Sequence, residues 1–356
     1  MVTRTTDFDR IVSRCRLILR TKYQPEIEFQ VESLFEKEIN LIRKLRFEDT
    51  LVEVVKFADQ LHQRRVASHV IGSGGSSVIL FLLGISEVEP IRNRTHFERL
   101  WRSASGEPPR LQFVVASQSQ DHWTQVPRPL CVSVHSMTSL EAIPSLLEQQ
   151  LGRVDLAKGD KPTFLSLHSG KTEGVFQLES TEMQSLLSQL RPTRIKDIAI
   201  VTALDQIGIT QPEVVSQFLQ LSEARSSSKL KPTTKINRDF DSRRPLIYQE
   251  VIMSLLRMFA GLSWDETYSF VLAAAKSQMT QQHELWKPIQ QGLETRLGSK
   301  SSMFLQQLIA ASGWVVCRAH HSANAITSYK AAYFQTHHRD DFEKVRQQMM
   351  VTGQSA

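Results

Sequence analysis

The chain has 356 residues, of which 41% are hydrophobic and 22% are charged, as in an ordinary soluble globular protein with room for two or three domains. The formal net charge of +6 permits a polyanionic partner such as a nucleic acid but does not require one. The longest apolar run, residues 78–85, is far too short to cross a bilayer, so we expect no membrane partner.

The cysteines and the N-terminus predict a cytoplasmic protein. Cys15, Cys131 and Cys317 are odd in number and far apart, which fits neither a zinc site nor a disulfide framework. The first seven residues contain no apolar run and therefore do not form a secretory signal.

The first half of the chain alternates between helical and strand-like patterns. Residues 11–23 are compatible with a helix, and we predict an N-terminal arm over 1–30. Strong helical periodicity follows over 31–66, and a buried helix is predicted over 77–84. Strands are predicted over 66–70, 111–116 and 130–134. A capping box at Thr138 and Glu141 predicts a helix that ends near Gly152.

The second half is helical in character. Residues 176–222 have helical patterns with breaks at Pro192 and Pro212, and helices continue from 246 to 345. Between them, residues 223–244 predict a mobile loop, because few apolar residues interrupt a basic, serine-rich stretch. Its basic side chains are Arg225, Lys229, Lys231, Lys235, Arg238, Arg243 and Arg244. The tail over 346–356 is expected to fray.

Four short motifs occur in a fixed order along the chain. They are Gly72-Ser73 with Ser77, Phe97-Glu98-Arg99, Phe176-Gln177-Leu178-Glu179-Ser180, and Tyr248-Gln249-Glu250. In this order and spacing, the chain resembles the polymerase core of the bacterial replicative DNA polymerase III alpha subunit. The resemblance covers roughly residues 31–345, and the second pair of motifs is its most specific part.

The resemblance implies an α+β, mostly helical fold. A small polymerase-beta-like palm sheet is expected within a reduced palm-like domain at 31–172, and a helical fingers-like domain at 173–345. The family's N-terminal PHP domain and its C-terminal clamp-binding and OB parts have no counterpart in these 356 residues.

Polymerase chemistry needs two divalent metal ions held by carboxylates, and alternate residues of a strand present such side chains on one face. The family carries aspartates for Mg²⁺ a fixed distance after its F-E-R motif. Counting without gaps, these positions fall on Arg110 and Gln112, and a third falls near Ser133-Val134-His135. None of these residues is a carboxylate, so the sequence predicts no metal site, no cofactor and no catalytic residue here.

The nucleotide-binding positions that the resemblance implies are also altered. The loop arginine is Ile71, although Gly72, Ser73 and Ser77 remain as a remnant of the phosphate loop. The fingers arginines are replaced by apolar or neutral residues over 206–209 and 271–277. Lys276, Arg318 and His320 are the remnants of the fingers site. Paired arginines grip phosphate oxygens, so their loss removes both charge and geometry.

Several features allow a functional and a purely structural interpretation. The Gly72-Ser73 loop is either a phosphate cradle or a tight strand-to-helix turn. His320, His321, His337 and His338 suggest a metal site or solvated and capping histidines. Glu179 and Glu250 suggest an acidic site or fold-specific hydrogen bonds. The basic stretch at 223–244 is a solvated loop or a contact to the DNA backbone.

Three functional hypotheses follow from these residues. In the first, the chain is a non-catalytic relative of the alpha subunit that binds primer-template DNA or replication or repair proteins. In the second, it is an active nucleotidyltransferase with displaced acids, for which Glu107, Asp121 and Asp155 are the candidates. In the third, it is a protein scaffold with no nucleic-acid role.

Overall fold

The computed structural model describes residues 6–102, 107–116, 126–227, 245–275, 283–311 and 313–353. The fold is α+β and mostly helical, with one small sheet in the first half. The helices of the first half are α1 (Asp7–Lys22), α2 (Pro25–Leu45), α3 (Glu48–Gln63), α4 (Val78–Leu82), α5 (Pro90–Asn93) and α6 (Ser139–Leu151). The later helices are α7 (Lys161–His168), α8 (Thr181–Leu190), α9 (Ile195–Gly208), α10 (Pro212–Ser227), α11 (Gln249–Leu255), α12 (Trp264–Ala275), α13 (Trp286–Leu297), α14 (Ser301–Ala310), α15 (Arg318–His337) and α16 (Arg339–Gly353).

The sheet contains three strands in sequence order, β1 (Ser68–Ile71), β2 (Leu111–Val115) and β3 (Val132–Ser136). β1 pairs antiparallel with β2, and β2 pairs parallel with β3. All three strands were predicted, with ends that differ by one or two residues. A short 3₁₀ turn, Gly72–Ser76, connects β1 to α4.

The N-terminal arm predicted over 1–30 is wrong for residues 7–22, which form a packed helix. Phe8, Ile11, Val12, Cys15 and Leu19 recur at helical spacing on α1, and all five are buried. They join a first hydrophobic core built from α1–α4 and one face of the sheet. The helical periodicity could be recognised in the sequence. The α3 surface that covers these five side chains of α1 could not be predicted from it.

A second hydrophobic core contains residues from Met137 to Met349 together with a few from the other face of the sheet. The predicted boundary at 172/173 therefore falls inside this core, since α6 and α7 pack with the later helices. α15 runs through the centre of the second core, and fourteen of its side chains are buried.

The frayed tail predicted over 346–356 is wrong as far as residue 353, because α16 continues to Gly353. Met349 is buried, and its carbonyl accepts a hydrogen bond of 3.3 Å from Ser139 Oγ on α6. Arg346 pairs with Glu343 at 2.8 Å and with Glu173 at 3.1 Å.

The basic stretch at 223–244 begins inside a helix, because α10 extends to Ser227. Residues 228–244, which contain Lys229, Lys231, Lys235, Arg238, Arg243 and Arg244, lie outside the described residues. Within the part of the chain that is described, no helix has the length and apolar character needed to cross a membrane.

Candidate functional site

The residues at the three family aspartate positions lie close together on the sheet. Gln112 on β2 is in register with Ser133 on β3, and Val114 with His135. Since alternate residues of a strand share a face, Gln112, Ser133 and His135 present their side chains on the same side, and Arg110 directly precedes β2. The positions that the resemblance aligns with the family aspartates thus lie near one another, and none of them carries a carboxylate.

Mg²⁺ in such a site is held by carboxylate oxygens, and none of these residues carries a carboxylate. Arg110 is exposed and carries a positive charge, which repels a divalent cation. Among the residues described, no group of three histidine, cysteine, aspartate or glutamate side chains is arranged to hold a metal ion. The family's magnesium pair does not fit the side chains that now occupy this face.

One carboxylate does approach this face of the sheet, but it comes from α6 and is already in use. Glu141 Oε1 lies 3.3 Å from Nε2 of His69 on β1, and both side chains are nearly buried. The same carboxylate accepts a hydrogen bond from the amide of Thr138 and closes the predicted capping box. The capping box was visible in the sequence, whereas the contact of Glu141 with His69 depends on tertiary packing and was missed.

The Gly72–Ser76 turn is buried at Gly74, Gly75 and Ser76 and half-buried at Gly72 and Ser73. Gly72 has φ +66°, and a Cβ atom there would lie 2.9 Å from Oε1 of Gln112, so the glutamine side chain covers the loop. A Cβ atom at Gly75 would lie 3.2 Å from the Ala319 carbonyl at the start of α15. These contacts favour the interpretation as a strand-to-helix turn.

Ser77 and Glu38 form a buried polar centre behind this turn. Ser77 caps α4 by accepting a hydrogen bond from the Leu80 amide, and its hydroxyl donates to Glu38 Oε1 at 2.5 Å. Trp101 Nε1 donates to the same oxygen at 2.7 Å, and the amide of Val78 donates to Oε2 at 2.8 Å. Burial raises the pKa of Glu38 to about 7, against the opposing effect of these donors.

A second buried carboxylate joins two of the family motifs. Glu250 of the Tyr248-Gln249-Glu250 motif pairs with Arg99 of Phe97-Glu98-Arg99 at 3.0 Å. It also accepts hydrogen bonds from the first amides of α15, those of Arg318 at 2.8 Å and Ala319 at 3.2 Å. Burial would raise the pKa of Glu250, but Arg99 and the Arg318 amide outweigh burial and hold the pKa below its usual value. Glu250 therefore acts as an ionised cap of α15.

The Phe176–Ser180 motif is likewise held by hydrogen bonds. Glu179 Oε1 accepts a hydrogen bond of 2.6 Å from the Gly174 amide, and Ser180 caps α8. Ser328 in the middle of α15 donates to the Phe176 carbonyl at 2.8 Å. Both glutamates of the proposed acidic site thus have fold-specific partners, and they belong to separate parts of the second core.

The remnants of the fingers site lie at the start of α15. The Arg318 guanidinium stacks 4.7 Å from the centre of the Tyr248 ring, and Asn324 Nδ2 lies 3.3 Å from Nε2 of His320. Lys276, the third remnant, lies outside the described residues.

The four histidines do not form one cluster. His320 and His321 are neighbours on α15, whereas His337 pairs with Asp160 at 2.9 Å and His338 caps the other end of the helix. Both ring nitrogens of His321 have partners at 3.0 Å, Thr202 and Gln206. Burial, followed by the charge of His320, lowers the pKa of His321 to about 4, so the ring is neutral near pH 7.

A pocket of about 640 Å³ adjoins these histidines, between α8, α9 and the start of α15. Gln206 and Ile209, from the segment aligned with the family's nucleotide-binding turn, line it together with Asp205. No lysine or arginine is found among the described residues of its wall. The pocket therefore offers no cation for a triphosphate.

Comparisons with known proteins agree with the motifs. The model of the bacterial DNA polymerase III alpha NTPase domain matches residues 9–125, and that of the bacterial DNA polymerase III alpha subunit finger domain matches residues 137–296. The change from one model to the next coincides with the change of hydrophobic core near Met137.

Curated relatives named DNA polymerase III subunit alpha match along about half of the chain. The Thermotoga maritima protein is 31% identical over 186 residues, which is 52% of this chain and 21% of the relative. The Halalkalibacterium halodurans protein is 26% identical over 225 residues, 59% of this chain and 19% of the relative. The chain thus spans about a fifth of the length of these relatives. With two consecutive domain models matched and their motifs joined in one fold, the chain belongs to the bacterial DNA polymerase III alpha-subunit family.

Proposed function

We propose that the chain is an alpha-subunit-like protein of DNA replication or repair that lacks polymerase activity. In this proposal it binds primer-template DNA, or replication or repair proteins, as an accessory factor in the cytoplasm. The observation that carries the proposal is that Arg110, Gln112 and His135, at positions that the resemblance aligns with the family's metal-binding aspartates, are not carboxylates and lie on or next to two paired strands of the sheet.

The charge of the nucleotide region supports the same proposal. Phosphoryl transfer depends on positioning and on cations that neutralise the triphosphate. The pocket beside His320 and His321 has no basic wall residue among those described, and Ile71 takes the place of the loop arginine. An incoming nucleotide would thus lack both its metal ions and most of its side-chain contacts.

Primer extension on a primed template with Mg²⁺ or Mn²⁺ tests the proposal. We expect no nucleotide incorporation, while an active DNA polymerase III alpha subunit extends the primer under the same conditions. Metal-dependent incorporation that is lost in Glu107→Gln or Asp155→Asn would support the displaced-acid transferase instead. Asp155 is exposed and its carboxylate accepts a hydrogen bond of 2.9 Å from the Ala157 amide, and among the described residues it belongs to no group of three side chains that could hold a metal ion.

Binding to primed DNA separates an accessory factor from a scaffold without a nucleic-acid role. Phosphate contacts predict an affinity that falls steeply between about 50 and about 200 mM salt. The triple variant Lys229→Gln/Lys231→Gln/Lys235→Gln tests the contribution of the basic stretch, for which we expect a weaker dependence on salt. Absence of any binding at low salt would favour the scaffold.

A further inference from the structure

A large cleft of the described structure begins beside the sheet, where His69 lines it, but Arg110, Gln112 and His135 do not line it. It has a volume of about 1540 Å³ and separates elements of the first core, α1, α3 and β1, from α6, α9 and α15 of the second. It opens beside the beginning of β1, at Arg65 and Ser68, whereas the Gly72 turn follows the end of that strand. Its volume exceeds the roughly 300–1,000 Å³ of typical small-molecule pockets.

The wall of this cleft is basic. Eight lysine and arginine side chains and five carboxylates line it. Most of the carboxylates already have partners inside the protein. Glu87 and Glu148 bind Lys330, Glu89 accepts a hydrogen bond of 3.0 Å from the Tyr23 hydroxyl, and Asp59 lies 3.4 Å from Arg14.

Four of the basic side chains form no ion pair within 4.0 Å in the described part of the chain, although the charges of Glu87 and Glu89 act on Lys22 and that of Glu87 on Arg153. They are Lys22 at the end of α1, Arg65 before β1, Arg92 on α5 and Arg153 after α6. Burial and then the positive charge of Arg153 lower the pKa of Lys22, which indicates that these two cations act on each other across the cleft. An anion between them would relieve this repulsion.

The floor of the cleft holds its two walls together. Lys330 on α15 is nearly buried, and its ammonium group binds Glu148 of α6 at 2.7 Å and Glu87 of the segment before α5. Burial would lower the pKa of Lys330, but the two carboxylates raise it, so the ammonium group stays charged. A charged lysine shared by two carboxylates fixes the spacing of the walls before any ligand arrives.

We propose that this cleft binds the phosphodiester backbone of a nucleic-acid strand, through Lys22, Arg65, Arg92 and Arg153. Cations without an ion pair on both walls of a cleft of this volume match several phosphates of a strand better than one small anion. The inference rests on the proposed DNA-binding role and assigns that role to a cleft that Gln112 and the other altered positions do not line. Binding there requires neither the lost metal ions nor the neutral pocket beside His321.

The test compares two triple variants that remove the same charge. Lys22→Gln/Arg92→Gln/Arg153→Gln neutralises the cleft, and Arg65 is left unchanged because its φ of +57° makes substitution less predictable. Lys44→Gln/Lys287→Gln/Lys300→Gln is the matched control, since these lysines are exposed on α2, on α13 and before α14 and do not line the cleft. Thermal unfolding of each variant verifies that it is folded.

Fluorescence anisotropy with labelled single-stranded and duplex oligonucleotides gives the affinity at several salt concentrations. For the cleft variant we expect an affinity reduced roughly tenfold or more at low salt, and a salt slope for single strands smaller by about 2, because three phosphate contacts are lost. The control variant should bind like the wild type. If the cleft variant loses affinity only for the single-stranded oligonucleotide, the ligand of the cleft is an unpaired strand. If it loses affinity for both oligonucleotides, the cleft binds a duplex backbone as well.

Three results would overturn the inference, and they are distinguishable. If the wild type binds DNA but the cleft variant binds equally well, or no worse than the control, the cleft is not the site and the proposed function stands. If only the variant of Lys229, Lys231 and Lys235 loses affinity, the basic stretch is the site. If the wild type binds neither oligonucleotide at low salt, the DNA-binding role and the cleft site are both wrong.

Discussion

At the scale of single residues, the buried carboxylate of Glu38, which needs several hydrogen-bond donors, lies where it connects different elements of the fold. Glu38 is fully buried and faces four hydrogen-bond donors from Ser77, Val78, Ile79 and Trp101. A buried carboxylate is tolerated only when its lone pairs are satisfied in this way. Glu38 thereby connects α2, the start of α4 and the segment that carries Trp101.

Replacing this carboxylate by an amide should destabilise the protein. In Glu38→Gln an NH₂ group must face at least one of the donors, and an unsatisfied buried polar group costs about 1–3 kcal/mol. We expect a loss of that size in the free energy of unfolding measured with urea. The control Glu36→Gln removes an exposed pair with Arg16, for which we expect less than about 1 kcal/mol. Equal effects of the two substitutions would contradict the structural role of Glu38.

The same residue predicts a dependence of stability on pH. Its pKa is about 7 in the folded protein and 4.5 as the reference value, so the folded state binds more protons between these values. The stabilisation is complete below about pH 4.5 and is lost as the pH rises through about 7. The wild type should lose up to roughly 3 kcal/mol relative to Glu38→Gln between about pH 5 and pH 8. Urea unfolding across this range measures the difference, and a constant difference would mean that Glu38 does not titrate there.

At the scale of elements, α15 depends on Glu250 for both its cap and its contact with the first half of the chain. A carboxylate at a helix N-terminus satisfies free amides and interacts favourably with the helix dipole. The pairing with Arg99 adds a buried ion pair between two distant segments. The family motifs around these residues are therefore explained by packing and capping without any catalytic role.

Removing this carboxylate leaves Arg99 buried without its partner. Breaking one side of a buried ion pair costs about 3–5 kcal/mol, and we expect Glu250→Ala to lower the free energy of unfolding by that amount. Glu294→Ala, on the exposed surface of α13, should change it by less than about 0.5 kcal/mol. Denaturant unfolding of both variants tests the expectation, and a Glu250→Ala protein as stable as this control would refute it.

Much of this element structure follows from local sequence signals. The capping box at Thr138, the strand before Gly72 and the breaks at Pro192 and Pro212 depend on neighbouring residues, and each predicted feature is present. The packing of α1 and the continuation of α16 depend on contacts with surfaces that are distant in sequence. The pairing of Glu141 with His69 depends on tertiary structure in the same way, which is why periodicity and spacing did not reveal it.

At the scale of the whole molecule, variants of the altered sheet face allow metal binding to be tested separately from nucleotide binding. Arg110→Asp/Gln112→Asp restores two carboxylates at alternate positions around β2. Because a ligand that binds only the folded state stabilises it, we expect Mg²⁺ to raise the melting temperature of this variant and not that of the wild type. Ca²⁺ serves as a second oxygen-seeking cation, and Arg110→Asn/Gln112→Asn controls for the loss of the arginine.

Primer extension by the same variant should remain absent, because the pocket beside His321 still has no basic residue in its described wall. Incorporation by Arg110→Asp/Gln112→Asp would show that two aspartates suffice and that the changes in the nucleotide region are not limiting. A melting temperature that is insensitive to Mg²⁺ would show instead that the sheet face no longer forms a metal site even with carboxylates.

The position of α15 has a consequence for how the chain acquires its structure. The residues of the first core are synthesised early. The Gly75 turn beside it nevertheless packs on Ala319, and Arg99 pairs with Glu250, so both contacts form only after later residues have been synthesised. Domains synthesised first generally fold first, but here the early half lacks partners that emerge more than a hundred residues later. Newly made chains should therefore pass through a stage in which Arg99, which is buried in the folded protein, is still exposed to water. We expect that the two halves of the chain pack against each other only when α15 is complete. Folding and unfolding should then occur as a single cooperative transition.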